Sequence, residues 1–447
     1  MSSGHRHSHA HSEVSASRLR LARGAAIAIV GVIALCGLAA VFGVLHWWPD
    51  GQRIDSVRGE VPFAVSGAKV VHGDMLTVEL ACSGDASTAA VCGDSSVHVL
   101  DGPNAGRTMK ISLTPDIIAT GIEPGDRVLL LDSTDVKGDS KLPLSYYRAD
   151  RGSSMLWFAI LFAVVVVLVA WRRGVMALVS LGFAGVAVVG FLLPALLSGQ
   201  PAVPVTLAAS VLILIVMLYL THGFSMRTSV ALTGALVGVG LSTLFAWSAV
   251  TGWRLADVGD EQAGLLLANA PWVDVQQLVV ASVILAGLGT LNDVTVTQAS
   301  ALWELRDASP GMTRWELFWR AMRIGRDHVA STVYTLVFAY LGTALVLIVA
   351  VQLFGGTAGD FLTAEDVAQE IVRALVGGLA LVLAMPVTTA IGALVVAGAV
   401  TRSDTGGGGR VAASRAEGRA GVPRVTIERT AASDDPLRLP DNPWAPD

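Results

Sequence analysis

Lysine is nearly missing from this chain: there are four, at positions 69, 110, 137 and 141, and none follows a glycine and precedes a serine or threonine. That excludes a P-loop, whose lysine and backbone amides cradle nucleotide phosphates. H-E-x-x-H, G-x-S-x-G and C-x-x-C are absent as well, which removes the common zinc-protease, serine-hydrolase and thiol-redox signatures. Only 15% of the residues are charged while 53% are hydrophobic, far from the balance of a soluble domain. The formal charge of -5 gives no excess of base for a nucleic acid, and no basic, aromatic-rich motif for one occurs. The expectation is a multi-pass membrane protein that is not an enzyme, needs no cofactor and binds no nucleic acid.

What is present is a series of long apolar blocks. After Arg18, Arg20 and Arg23, residues 24–48 form an uncharged run of the length needed to cross a bilayer about 30 Å thick, closed by Trp47-Trp48-Pro49. Further runs at 155–171, 175–197, 205–221, 229–250, 278–300, 329–354 and 371–400 bring the expected total to about eight transmembrane helices. Arg172-Arg173, Arg227 and the Arg306–Arg326 cluster fall in alternate loops, all on one side, so the positive-inside rule puts both termini in the cytoplasm. Tryptophans 47, 48, 157, 171, 253, 272 and 303 sit at expected span ends, where indole favours the interface. Residues 313–325 open with a Thr-x-x-Glu capping box and set Trp315, Phe318, Trp319 and Met322 on one face, which reads as a cytoplasmic amphipathic helix. Gly234 and Gly238 form a small-xxx-small pair suited to close helix approach. Pro386 is expected to kink the last span.

Between residues 50 and 152 the hydrophobic period changes to short β-branched runs at 60–65, 68–71, 76–80, 97–100, 109–113 and 127–132, with Gly-Asp, Gly-Pro and Pro-Gly as turn signals. This predicts a small extracytoplasmic β-rich domain, a barrel or sandwich with the OB type among the options, between helices 1 and 2. Cys82 and Cys92 share this polar segment and are disulfide candidates in an oxidising compartment, whereas Cys36 lies in an apolar span. Both ends of the chain read as disordered tails: residues 1–23, with His5, His7, His9 and His11 as a weak metal-binding tract, and the Gly-, Arg- and Pro-rich segment 401–447.

The sharpest chemistry lies in residues 287–304. On a 3.6-residue period Gly287, Thr290, Asp293, Thr297, Ser300 and Glu304 share one helix face, carrying a polar stripe into an apolar run. Asp293 is the acid expected inside a span, a costly position that by default marks function. An intramembrane aspartyl protease would need a second such acid, so hydrolysis is not expected. Arg326, at the start of the following span, is the candidate ion-pair partner; Asn292 and Gln298 lie off the stripe as candidate interhelical hydrogen-bonding groups. A competing reading makes Asn292-Asp293 a helix cap near the headgroups.

Three motifs, Gly-Leu-Gly-Thr-Leu-Asn-Asp-Val-Thr-Val-Thr-Gln-Ala-Ser-Ala at 287–301, Arg-Ile-Gly-Arg-Asp-His at 323–328 and Tyr-Thr-Leu-Val-Phe-Ala-Tyr-Leu-Gly at 334–342, resemble the YibE/F-like family of bacterial multi-pass membrane proteins. The resemblance implies the membrane architecture and draws attention to Asp293, Gly325, Arg326 and Asp327. Asn292 stands where a methionine is expected of that family, and Gln298 interrupts a segment usually richer in serine. It implies no substrate.

Two functions are therefore expected to compete. One is a permease or channel-like protein for a small solute or ion, with Asp293 and Thr297 lining a path open to the cytoplasm. The other is a non-transporting sensor or assembly factor that uses the β domain. Metal export assisted by the histidine-rich tail is a third, weaker option. Membrane lipid is the partner expected in every case.

Overall fold

The computed structural model describes residues 8–57, 69–79, 82–83, 91–92, 94–133, 144–255, 261–353, 359 and 363–396. His5, His7 and the whole of 401–447 lie outside the described residues, as does the expected strand at 60–65. Helix α1 runs Ser8–His46, so helical backbone already begins in the segment read as a disordered tail. A short helix α2 (Gly51–Val57) follows, the Gln52 amide donating to Asp50 Oδ1 at 3.0 Å.

The β-rich segment forms one five-stranded antiparallel sheet and a two-stranded ladder. Strands β1 (Lys69–Thr77), β4 (Asp94–Val99), β5 (Thr108–Ser112), β6 (Arg127–Asp132) and β7 (Leu144–Ala149) are ordered β5-β4-β1-β6-β7, with helix α3 (Pro115–Ala119) between β5 and β6. The sheet curls so that its outer strands β5 and β7 approach one another. Alternate residues Val71, Met75, Val97, Val99, Ile111, Val128 and Leu130 fill its concave side. Gly73 is a correction to the reading above. Residues 69–77, drawn from the runs at 68–71 and 76–80, are one strand, because the Gly73-Asp74 turn signal does not turn the chain: a Cβ on Gly73 would lie 2.7 Å from Val97 Cγ2 and 2.8 Å from Leu130 Cδ1. Glycine serves close packing at this point, not a reversal. Strands β2 (Cys82–Ser83) and β3 (Val91–Cys92) pair in antiparallel register with Cys82 opposite Cys92.

The remainder is helical. Helix α4 (Gly152–Ala187) leads through a π-helical turn, Val188–Leu192, into α5 (Leu193–Leu197). It is broken at Trp171, whose φ of 50° and ψ of -131° are not helical. A Cβ on Gly174 would stand 2.5 Å from the carbonyl oxygen of Val166. In an unbroken helix those residues would be about 12 Å apart, so the chain folds back here. Helices α6 (Ala202–His222), α7 (Met226–Gly252), α8 (Glu261–Asn269), α9 (Val275–Ala308), α10 (Arg314–Thr343), α11 (Leu345–Leu353) and α12 (Glu365–Val396) follow. Three of these helices start on a side-chain cap: Ser225, Asp274 and Thr313 accept the backbone N–H of Thr228, Gln277 and Glu316, and Glu316 completes a capping box with Thr313.

The most buried helices, α7, α9 and α12, form the centre, held together where glycine lets backbones close. A Cβ on Gly234 would fall 1.9 Å from Thr388 Oγ1, and one on Gly238 would fall 2.5 Å from Leu291 Cδ2 and 3.2 Å from Ala384 Cβ. The paired glycines of α7 thus seat α12 and α9 respectively. Pro386 lies inside α12, which continues past it to Val396. Six stretches among the described helices are long and apolar enough to cross a membrane: residues 23–46, 152–197, 202–222, 226–252, 275–308 and 367–396. Helix α10 differs from the expected arrangement. The segment read as an interfacial helix at 313–325 and the start of the span after it are one continuous helix, because Gly325 packs against neighbours and does not end the helix.

Candidate functional site

The polar residues picked out from the sequence meet where α9, α10 and α12 pack. Gln298 is buried, with 2% of its surface accessible, and its Nε2 donates to the Ala321 carbonyl on α10 at 3.0 Å and to Thr389 Oγ1 on α12 at 2.7 Å. One amide therefore braces three helices. Gly325 makes room for it, since a Cβ at that position would stand 2.8 Å from Gln298 Oε1 and 2.7 Å from Met385 Sδ. Thr389 turns its own hydroxyl proton to the Met385 carbonyl at 2.7 Å.

Less than two turns earlier on α9, Asp293 is 63% exposed, with Oδ2 standing 3.5 Å from Nε2 of His328 on α10. The two form an ion pair when the imidazole is protonated; His328 Nε2 makes no hydrogen bond. The partner is thus His328, not the expected Arg326. Residues 326 and 328 are separated by about 200° around a helix, so when one faces α9 the other faces away. Arg326 is exposed and reaches back toward the helix start, its guanidinium carbon 5.8 Å from the Trp319 ring centre. Asp327 is exposed, Thr297 is half-buried, and Asn292 Oδ1 is buried without a hydrogen-bond partner among the described residues. Asp293 lies well inside α9, about 27 Å from Val275 and about 22 Å from Ala308 at 1.5 Å per residue. It does not cap a helix end. The start of α9 is capped by Asp274.

A second polar cluster was missed in the sequence, although Arg373 falls within the run read as the last span. Arg373 Nη1 pairs with Glu370 one turn away on α12, while its Nε lies 3.4 Å from Ser282 Oγ on α9. Gln369 Oε1 stands 3.5 Å from Nη2, and Tyr340 of α10 is within electrostatic reach of both charges. The Glu-x-x-Arg spacing was the available signal. Ser282 and Asp293 are eleven residues apart, only about 20° different in direction, so the two clusters lie about 16 Å apart along one face of α9. Ala286, Gly289 and Thr290 between them are small, and the first two are exposed. Near the start of α9, a cavity of about 240 Å³ is bounded by Gln200, Trp272, Asp274 and Gln277, with Arg53 stacked on Trp272 at 5.3 Å.

The other candidates are not gathered here. Of Cys82 and Cys92 the paired backbones are described, and of His9 and His11 only the helical backbone.

Apolar helices of membrane-spanning length, with charged pairs set along one of them, define a membrane-embedded helical protein. The chain belongs to the YibE/F-like family: the family model described as YibE/F-like protein matches residues 158–398, more than half of the chain. That range takes in α6 to α12 and so every residue of both polar clusters. No curated protein and no solved structure matches the chain.

Proposed function

We propose that this protein is a permease or channel-like protein for a small solute or ion, in which Asp293 takes up a proton or cation during passage. The observation that carries this reading is the Asp293–His328 pair, an acid facing a titratable base on an exposed strip within a membrane-length helix. Groups so placed are expensive in a bilayer unless they serve a polar path. The Ser282–Arg373–Glu370 cluster on the same face of α9 extends that path toward the other leaflet.

The topology behind the proposal has eight spans. The six apolar stretches become seven when residues 152–197 are divided at Trp171, and α10 with α11 adds the eighth. Successive spans then place Arg23, Arg172, Arg173, Arg227, Arg306 and Arg314 at one end and Asp50, Asp274 and Glu365 at the other. By the positive-inside rule both termini are cytoplasmic and residues 50–152 are extracytoplasmic. The curled sheet has the strand order of an OB-like barrel, with a helix between its third and fourth long strands. That arrangement favours the alternative reading, a membrane sensor or assembly factor that binds a partner through the β domain. Neither reading invokes catalysis.

Reconstituted vesicles decide between them. Proton or cation flux, surveyed across candidate solutes, is expected for the wild type and at least tenfold lower for Asp293→Asn. Identical flux for wild type, Asp293→Asn and empty liposomes refutes transport through this site. Loss of crosslinked partners on deletion of residues 55–150, with no flux in the intact chain, favours the sensor.

A further inference from the structure

Arg306, in the last turn of α9, holds a position that its own chain does not satisfy. It is 95% buried, and Nη1 donates to two loop carbonyls, Pro310 and Met312, each at 2.8 Å. Those bonds hold the guanidinium in place. Its other edge, Nε and Nη2, is buried with no acceptor, and so is Nη2 of Arg314, the first residue of α10. The two cations are close enough to repel each other.

This arrangement is costly as it stands. A buried charge is stable only when paired and hydrogen-bonded, and two like charges side by side compound the cost. Among the described residues no carboxylate pairs with either arginine: Glu304 and Asp307 are exposed and unpaired with them, and Glu316 is engaged with Thr313. Nε–H and one Nη2–H of a guanidinium are parallel, the fork that takes two oxygens of one oxyanion. The third free donor, on Arg314, calls for an anion whose oxygens accept more than two hydrogen bonds, as those of a phosphate group do. Trp315, Phe318 and Trp319 stack beside it on the first turns of α10, as aromatic residues do at the level of lipid headgroups.

We propose that the Nε/Nη2 edge of Arg306, together with Arg314, is a binding site for a phosphate group, borne by an anionic lipid headgroup or free as inorganic phosphate. The bound group supplies the acceptors that three buried donors lack and offsets the repulsion between the two arginines. It thereby staples the end of α9 to the start of α10, the helices that carry Asp293 and His328.

The test uses the full-length chain in an uncharged detergent, with thermal unfolding followed against added inorganic phosphate, phosphatidylglycerol, or diacylglycerol as a headgroup-free control. A saturable rise in midpoint with phosphatidylglycerol alone identifies a lipid site; a rise with inorganic phosphate as well identifies a site for the free ion. Arg314→Gln, and Arg306→Lys, which keeps the charge and loses the fork, each weaken binding by about tenfold or more, as loss of a charge-assisted hydrogen bond requires. Arg320→Gln, an exposed arginine on the same helix, leaves it unchanged. If Arg306→Lys does not fold, Arg314→Gln decides. The proposal is overturned if neither phosphate ligand exceeds diacylglycerol, or if Arg320→Gln costs as much affinity as the Arg314 variant.

Discussion

His328 on α10 stands 3.5 Å from Asp293 on α9, while Arg326, two residues earlier, turns away to the Trp319 ring. The pair between α9 and α10 is therefore acid and imidazole, which can exchange a proton, in place of acid and guanidinium, which cannot.

A double-mutant cycle separates the two partners. Asp293→Asn and His328→Gln are expected to be non-additive in flux, and Asp293→Asn with Arg326→Gln additive. Because Asp293 is largely exposed, the coupling in stability is small, about 0–1 kcal/mol. Additive losses with His328 refute the pairing.

Gln298 and Gly325 predict a stability effect distinct from any effect on passage. Gln298→Leu removes the hydrogen bonds to the Ala321 carbonyl and Thr389 Oγ1 that join the three helices, and Gly325→Ala drives a methyl into Met385 and Gln298. Each is expected to cost about 1–3 kcal/mol, seen as a lower unfolding midpoint in detergent.

Gly234→Ala and Gly240→Ala, six residues apart on α7, should differ sharply. The first puts a methyl 1.9 Å from Thr388 Oγ1 and is expected to abolish a monodisperse product; the second meets nothing within 4 Å. Size-exclusion profiles of the two variants make the comparison. Similar behaviour would show that α7 does not seat α12 at Gly234.

The capping box of α10 carries a pH signature. Backbone and side-chain hydrogen bonds from Thr313 hold the Glu316 carboxyl below its ordinary value of 4.5. A depressed value in the folded state means the contribution is complete above the unfolded value and fades as pH falls through the folded one. Glu316→Gln should therefore flatten the acid-side loss of helix stability, followed by circular dichroism below pH 5. An unchanged acid limb counts against the box.

Cys82 and Cys92 are cross-strand partners in the β2–β3 ladder, a separation within disulfide range. Protein from an oxidising compartment is expected to show one accessible thiol after denaturation without reductant, Cys36, and three with it. Three in both cases would refute the bridge.

Much of this was legible from residues alone. Apolar runs marked most of the helices because a bilayer leaves the backbone little choice, and Thr-x-x-Glu marked the start of α10 because capping is local. Gly73 was misread as a turn, since nothing local distinguishes a glycine that turns the chain from one that admits a neighbour. Arg373 was overlooked inside its apolar run for a related reason: its partner on α9 is 91 residues away in sequence.

The sequence by itself determined that the chain is built of membrane-length helices and a β-rich insert, and that one aspartate follows directly on a long apolar run. Both follow from composition and period, which are properties of a segment. Only the tertiary structure decided that His328 faces this aspartate, that Gln298 braces three helices and that Arg306 is left with an open fork. Those depend on which side of each helix meets its neighbour, and that is set by glycines 234, 238 and 325 through packing between segments distant in the chain.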